Sequence, residues 1–319
     1  MITVIPAALS GERVDRAVCL LTGMSRSQVA SLVDQGAVRL DEVPVRARSR
    51  RVAECESLEV ADLPPASSDH VEPDPGVEFD VVYADAEVIV VDKPAGLVVH
   101  PGAGHHPATL VAGLLARYPD LGALAGPGSE YRPGIVHRLD KGTSGLVMVA
   151  RTETARRSLS AQLAAHTAGR RYRALVWGVP GADEGLIEAP LRRAEADPTR
   201  MAVRLGGKEA RTRYRVLQRF GEPAPAALLD CRLDTGRTHQ IRVHLAAIGL
   251  PVVGDARYGR HGRWPAGLPR LAPERHWLHA VELAFDHPLT GERRTFASPL
   301  PDDLGGLLAR LAPPSEGRG

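Results

Sequence analysis

Apolar residues along this chain change their spacing several times, and each change marks an element. Between residues 11 and 21 they fall at Val14, Ala17, Val18 and Leu21, the spacing of an amphipathic helix. A second helix is predicted over Arg26–Asp34, capped by Ser25, burying Val29, Leu32 and Val33, and stopped by Gly36. Short strands follow at residues 37–40 and 57–61. Residues 64–78 then offer proline, serine and acidic side chains with little to bury, the composition of a linker.

The pattern resumes at residue 79. Two short strands, 79–83 and 88–92, precede a helix at 109–118, and the apolar run 146–150 reads as a buried strand. A helix over 152–167 turns Leu159, Leu163 and Ala164 inward. Residues 170–177 alternate as a strand, with Tyr172 on the face opposite Arg171 and Arg173. A last helix is predicted between a Thr238 cap and a Gly249 stop, burying Ile241, Leu245 and Ile248. The elements divide the chain into a small module, residues 1–63, a linker, 64–78, and a main domain, 79–319.

Composition narrows the class. The chain is 44% hydrophobic and 24% charged, as soluble globular proteins are. No apolar run approaches the roughly 20 residues that cross a bilayer, and the start lacks a basic-then-apolar leader, so a cytoplasmic location without membrane contact is expected. Cys19, Cys55 and Cys231 are odd in number and far apart, which indicates neither a disulfide framework nor a zinc site. Net charge is only +2, but its distribution is uneven. Residues 192–219 hold nine basic residues against three acids, and residues 39–51 hold five arginines against two acids. An exposed arginine-rich hairpin fits the residues of 192–219, but because the excess is local a nucleic-acid face is expected there.

Candidate chemistry concentrates in Gly134-Ile-Val-His-Arg-Leu-Asp-Lys-Gly-Thr-Ser-Gly145. If residues 135–140 are extended, Ile135, His137 and Leu139 face one side and Val136, Arg138 and Asp140 the other. The Gly-Thr-Ser-Gly turn then holds the Asp140 carboxylate at the lip of a sheet. Arg242 falls in the first turn of its helix, where the dipole disfavours a cation, so an anionic partner is expected, either a carboxylate or a phosphate. A strand tyrosine such as Tyr172 is by itself ordinarily a packing residue. His239 and His244 are five apart, about 140° around a helix, which does not suit a shared metal. Dinucleotide, nucleoside-triphosphate and serine-hydrolase motifs are missing, and one isolated carboxylate argues against ordinary glycoside hydrolysis.

Four stretches carry a family resemblance: DKPAGLVVHPG at residues 92–102, HRLDKGTSG at 137–145, GRTHQIRVHLA at 236–246, and PVVGDARYG at 251–259 with Leu278-His-Ala280. In content and order they resemble the RluA-type pseudouridine synthases. The helix-helix-strand module ahead of them is similar to the αL-type RNA-binding domain named after a small-subunit ribosomal protein. The resemblance implies an α+β fold: a mixed, largely antiparallel sheet with a central basic cleft, plus the small N-terminal domain. It implies that Asp140 breaks the uridine C1′–N1 bond and permits rejoining at C5. Attack at C1′, attack at C6 and removal of the 2′ proton all remain open to that carboxylate. Tyr172 would stack on the base and help remove the C5 proton, Arg242 would pair with Asp140, and Arg138 would fill the gap left by the flipped nucleotide. His137, Thr143, Arg237 and His239 would contact substrate, and Arg26, Arg46 and Arg48 would contact RNA from the N-terminal domain.

The implied reaction is an isomerisation needing neither cofactor nor metal. The implied partner is large-subunit ribosomal RNA, free or within the assembling subunit, acted on by a monomer. A base must leave the stack before a carboxylate can reach C1′ or C5. Two other readings fit many of the same residues: a ribosome-assembly factor that needs the basic surfaces but not Asp140, and a synthase directed at tRNA. A hydrolase releasing a free base or sugar is a third.

Overall fold

A computed structural model describes residues 1–24, 26–61, 71–101, 108–124, 132–195, 197, 199–259, 265, 268–272 and 275–312. The described residues form two compact units, one up to residue 61 and one from Val71 onward. Among the described residues no helix is long and apolar enough to cross a membrane.

The first unit holds strand β1 (Ile2–Val4), helices α1 (Val14–Thr22) and α2 (Arg26–Asp34), and strands β2 (Val38–Leu40), β3 (Val43–Pro44) and β4 (Ser57–Val60). The strands form one antiparallel sheet in the order β1-β4-β2-β3. The two helices bury the stripes their spacing predicts: Val14, Ala17 and Val18 from one, Val29, Leu32 and Val33 from the other, against Val38, Leu40 and Leu58. Gly23 ends α1 in the left-handed region, φ +74°, where a side chain would be strained. Strand β1 is an edge strand too short to show a period, and the sequence pattern does not reveal it. Ser25, the expected cap of α2, lies outside the described residues.

The linker expected over residues 64–78 falls partly among the described residues. Residues 64–70 lie outside the described residues, and from Val71 the chain belongs to the second unit. There Val71 packs on the core, Val77 is buried, and the Asp74 amide donates to the Ala112 carbonyl at 3.0 Å.

The second unit is built on a nine-stranded sheet. Its strands are β5 (Asp80–Ala84), β6 (Val88–Lys93), β7 (Ser144–Ala150), β8 (Gly169–Trp177), β9 (Glu184–Glu188), β12 (Arg211–Phe220), β13 (Ala226–Leu233), β14 (Leu278–Asp286) and β15 (Arg293–Ala297). The order is β5-β6-β7-β14-β8-β13-β12-β9, with β15 added on β14. Strands β10 (Leu191–Arg193) and β11 (Met201–Val203) form a separate hairpin. All pairings in the large sheet are antiparallel except β7 with β14, which is parallel.

Continuous apolar runs in β6 and β7 follow from burial on both faces. Ile89, Val91, Val147 and Val149 face helix α3 (Leu110–Arg117), while Val88, Val90, Leu146 and Met148 face helix α4 (Glu153–Ala164). Thr109 and Thr152 cap these helices by accepting from the amides of Ala112 and Ala155. Ala164, expected inward, is exposed because the apolar stripe of α4 has ended by then.

The β7–β14 ladder is only two residue pairs long, Ser144 with His279 and Gly145 with Ala280. Gly145 is obligatory there: at φ +111°, a Cβ would lie 2.3 Å from the Ala280 carbonyl oxygen. The segments bordering this short seam converge on one cleft.

Candidate active site

The cleft encloses about 590 Å³ and lies within the second unit. Residues 135–143 form one wall, the start of β8 another, and residues 233–242 a third. The alternation expected for the first wall is partly realised. Ile135 and Leu139 join the core beneath α3, and Val136 joins the core beneath α4.

Asp140 closes that wall as a turn, its carbonyl accepting from the Thr143 amide at 3.1 Å. Three buried side chains brace the turn from behind. Lys93 donates to the carbonyls of Pro94 and Leu97 at 2.8 Å and of Lys141 at 3.4 Å. His276 Nε2 lies 2.7 Å from the Thr143 hydroxyl, and Arg275 donates to the Gly142 carbonyl at 2.7 Å. Burial pushes the Lys93 amine down to about 7 and the His276 imidazole down to about 4. The turn that opens with Lys93-Pro-Ala-Gly96 thus supports the site from behind.

The helix that faces Asp140, α5 (Gln240–Ala247), begins later than the sequence predicts. His239, not Thr238, occupies the cap position, with a left-handed backbone at φ +55°. The loop is tied instead by the Gln240 carboxamide, which accepts from the Arg237 amide and the Thr235 hydroxyl at 3.0 and 2.8 Å. Arg242 remains in the first turn and has the anionic partner its position demands, twice over. It donates to Asp140 Oδ2 at 2.9 Å, and to both oxygens of Asp255 at 2.7 and 2.9 Å. Its guanidinium also lies 5.1 Å from the Tyr258 ring centre, and Tyr258 in turn contacts His239 Nδ1 at 2.7 Å.

Burial raises the Asp140 carboxyl, but the charges of His239, Arg242 and His276 outweigh it, and the net direction is down. Burial pushes His239 itself below its ordinary value, so Arg242 is the charge that persists at neutral pH. Asp140 is therefore an ionised carboxylate that keeps one oxygen free of Arg242. Tyr172 is 6% exposed and faces the same cleft from β8; burial pushes its phenol up to about 12, so it stays neutral.

The other expected contact residues divide. Arg138 and Arg237 are exposed on the cleft walls, Arg138 3.1 Å from His100 Nε2 and Arg237 donating to the Glu209 carbonyl at 3.0 Å. His239 lies 3.9 Å from the second Asp140 oxygen. His137 lines the cleft, but its Nε2 accepts from the Met148 amide at 3.0 Å, and burial, then Arg170, pushes it down to about 3. The Thr143 hydroxyl is engaged with His276. Of the arginines in the first unit, Arg46 is exposed, Arg48 is ion-paired with Asp34, and the Arg26 side chain lies outside the described residues.

Asp255, Tyr258 and His276 do not stand out as functional residues in the sequence. The signal for Asp255 is the uphill placement of Arg242 together with the acid within residues 251–259. Arg132, Arg138, Arg170, Arg237 and Arg242 line the cleft, and among its described lining residues Asp140 is the single acid. Such a wall presents a positive field to a polyanion around one carboxylate.

The RNA pseudouridylate synthase family profile matches residues 87–247, which include Asp140, Tyr172 and Arg242. The chain is 42% identical over 306 residues to ribosomal large subunit pseudouridine synthase D of Zymomonas mobilis, spanning 94% of each protein. It is 40% identical over 314 residues to the protein of the same name from Pseudomonas aeruginosa, spanning 96% of this chain and 94% of that one. Among solved structures it is similar to human RNA pseudouridylate synthase domain containing 1, with a TM-score of 0.57, 26% identity, and coverage of 79% of this chain and 91% of that one. With the profile spanning half its length and relatives aligned over nearly all of it, this chain belongs to the RNA pseudouridylate synthase family.

Proposed function

We propose that this enzyme isomerises uridines of large-subunit ribosomal RNA to pseudouridine in the cytoplasm, as a monomer, with Asp140 as its catalytic carboxylate. The observation that carries the reading is the convergence of an ionised Asp140, a neutral buried Tyr172 and five arginines on one cleft. The rRNA address rests on likeness to relatives named for the large ribosomal subunit.

In this reading the target uridine leaves its stack and enters the cleft, because a paired base shields C1′ and C5. Arg242 keeps Asp140 charged and fixes one of its oxygens, leaving the other for the nucleotide. The N1–C1′ bond breaks, the base turns, and a C5–C1′ bond forms while C5 loses its proton and N1 gains one. Tyr172 packs on the base; with its phenol held neutral, it serves as a hydrogen-bonding group rather than a free phenolate. Arg138, exposed at the rim, fills the space the base vacates. The first unit would hold RNA through Arg46, with Arg48 partly offset by Asp34.

Tritium release from [5-³H]uridine-labelled large-subunit rRNA, with wild type beside Asp140→Asn, tests the assignment. Release by wild type alone is expected. Release from tRNA alone would redirect the substrate. No release from either RNA, with binding intact, would leave an RNA-binding assembly factor.

A further inference from the structure

One group in the cleft has no role in the chemistry above. Arg170 stands two residues before Tyr172 in β8, so the period of a strand puts both on the same face. Its side chain is buried, 7% exposed, and lines the cleft. The Nε atom is fully buried and has no hydrogen-bond partner, and among the described residues the guanidinium has no ion pair. Burial pushes it below the ordinary arginine value.

Asp234 acts on Arg170 from a distance, but among the described residues no acid pairs with it. Asp140 is held by Arg242 at 2.9 Å, and Asp234 by Arg213 at 3.2 Å. The nearby Tyr172 phenol is neutral and His137 is an uncharged acceptor already used by Met148. Yet the chain makes room for the guanidinium. A Cβ on Gly236 would lie 2.5 Å from Arg170 Nη1, so glycine at that position leaves space for the head group. A buried, uncompensated cation is costly, and a counter-ion entering the cleft removes that cost. A uracil carbonyl would satisfy a hydrogen bond but not the charge. A phosphate satisfies both, in the two-pronged geometry a guanidinium favours.

We propose that Arg170 is a phosphate-binding residue of the cleft, taking one of the two backbone phosphates that flank the extruded uridine. This rests on reading the cleft as the place where uridine is isomerised. Arg170 thereby fixes the sugar of the target nucleotide while the base turns between N-linked and C-linked positions. Its contact persists from substrate to product, so its removal raises KM with little change in kcat.

The test pairs protein and RNA changes. A short RNA that the wild type modifies is made with a neutral methylphosphonate at either flanking phosphate, and binding is measured for wild type, Arg170→Met, Arg170→Gln and Arg170→Lys. Wild type should bind about ten- to a hundredfold less tightly when the contacted phosphate is neutral, as expected for a charge-assisted hydrogen bond. Met and Gln variants should bind the unmodified RNA with that same deficit and be indifferent to the neutral linkage; Lys should restore part of the sensitivity. Gln keeps donors and polarity if Met disturbs folding, which circular dichroism checks. Equal sensitivity in wild type and Gln variant, or none in wild type at either phosphate, overturns the assignment. Tritium release by wild type is read separately, so failure of the isomerase reading is told apart from failure of the phosphate contact.

Discussion

Two arginine-rich regions of the second unit differ in how far acids neutralise them. Along the outer edge of the sheet, Arg211 pairs with Glu188 at 2.8 Å, Arg213 with Asp234 at 3.2 Å and Arg219 with Asp183 at 2.5 Å. Nine basic residues against three acids within residues 192–219 suggest, by count alone, a free positive face. The neutralising acids sit at 183, 188 and 234, outside that window, and strand pairing brings them in. The cleft is assembled the other way. Its arginines come from segments more than a hundred residues apart, from Arg132 to Arg242, and among the described lining residues one acid faces them. Charge counted along a chain measures a field only where the fold does not import the opposite sign.

The difference should appear first in stability. Arg242 is 8% exposed and holds two carboxylates, one of them fully buried. Arg242→Met leaves both uncompensated, a change worth about 3–5 kcal/mol. For a unit of this size that is roughly 10 °C in Tm. Arg211→Met removes a pair whose members are 45% and 58% exposed, and should cost less than about 1 kcal/mol. Thermal unfolding of the two variants checks this, and equal shifts would erase the distinction between the regions.

The same contrast explains what is legible in the sequence. The helices covering the sheet can be placed because their stripes are local: Val14 with Val18, or Leu159 with Thr152 as the cap. Asp140 and Arg242 stand out because each sits awkwardly in its own element, a charge at the end of an apolar run and a cation in a first helical turn. Arg170 stays hidden because its oddity is an absence of partners, which only the fold reveals. Asp255 lies 13 residues from Arg242, beyond any helical or strand period, so its bidentate grip can be anticipated in kind but not in position. The late start of α5 escapes the sequence pattern because Thr238 is a good cap by type, while Gln240 does the tying.

A smaller effect, seated behind the cleft wall, is a response to acid. His276 is 2% exposed and is held neutral, down at about 4, chiefly by burial and then by Arg242. An unfolded histidine titrates near 6.5, so between about 6.5 and 4 the unfolded chain binds a proton that the folded chain refuses. Stability therefore falls as pH drops through that window, at up to about 1.4 kcal/mol per pH unit from this one group. Denaturant midpoints from pH 7 to 4.5 should show the decline, with His276→Gln shallower than wild type. A parallel decline in that variant would remove His276 from the account.

The finest measure is the salt dependence of RNA binding. Removing one phosphate contact reduces the slope of log K against log salt by about one. Arg46 is exposed and is proposed to hold RNA, so Arg46→Ala should reduce the slope by about that amount. Arg213 already serves Asp234 and should leave the slope unchanged on replacement by Ala. A reduced slope for Arg213→Ala would return the sheet edge to the RNA-binding surface, and an unchanged slope for Arg46→Ala would take the first unit out of it. The affinities alone would not separate these cases, because removing any cation weakens attraction to a polyanion at long range. Only a contact that displaces a counter-ion changes the slope.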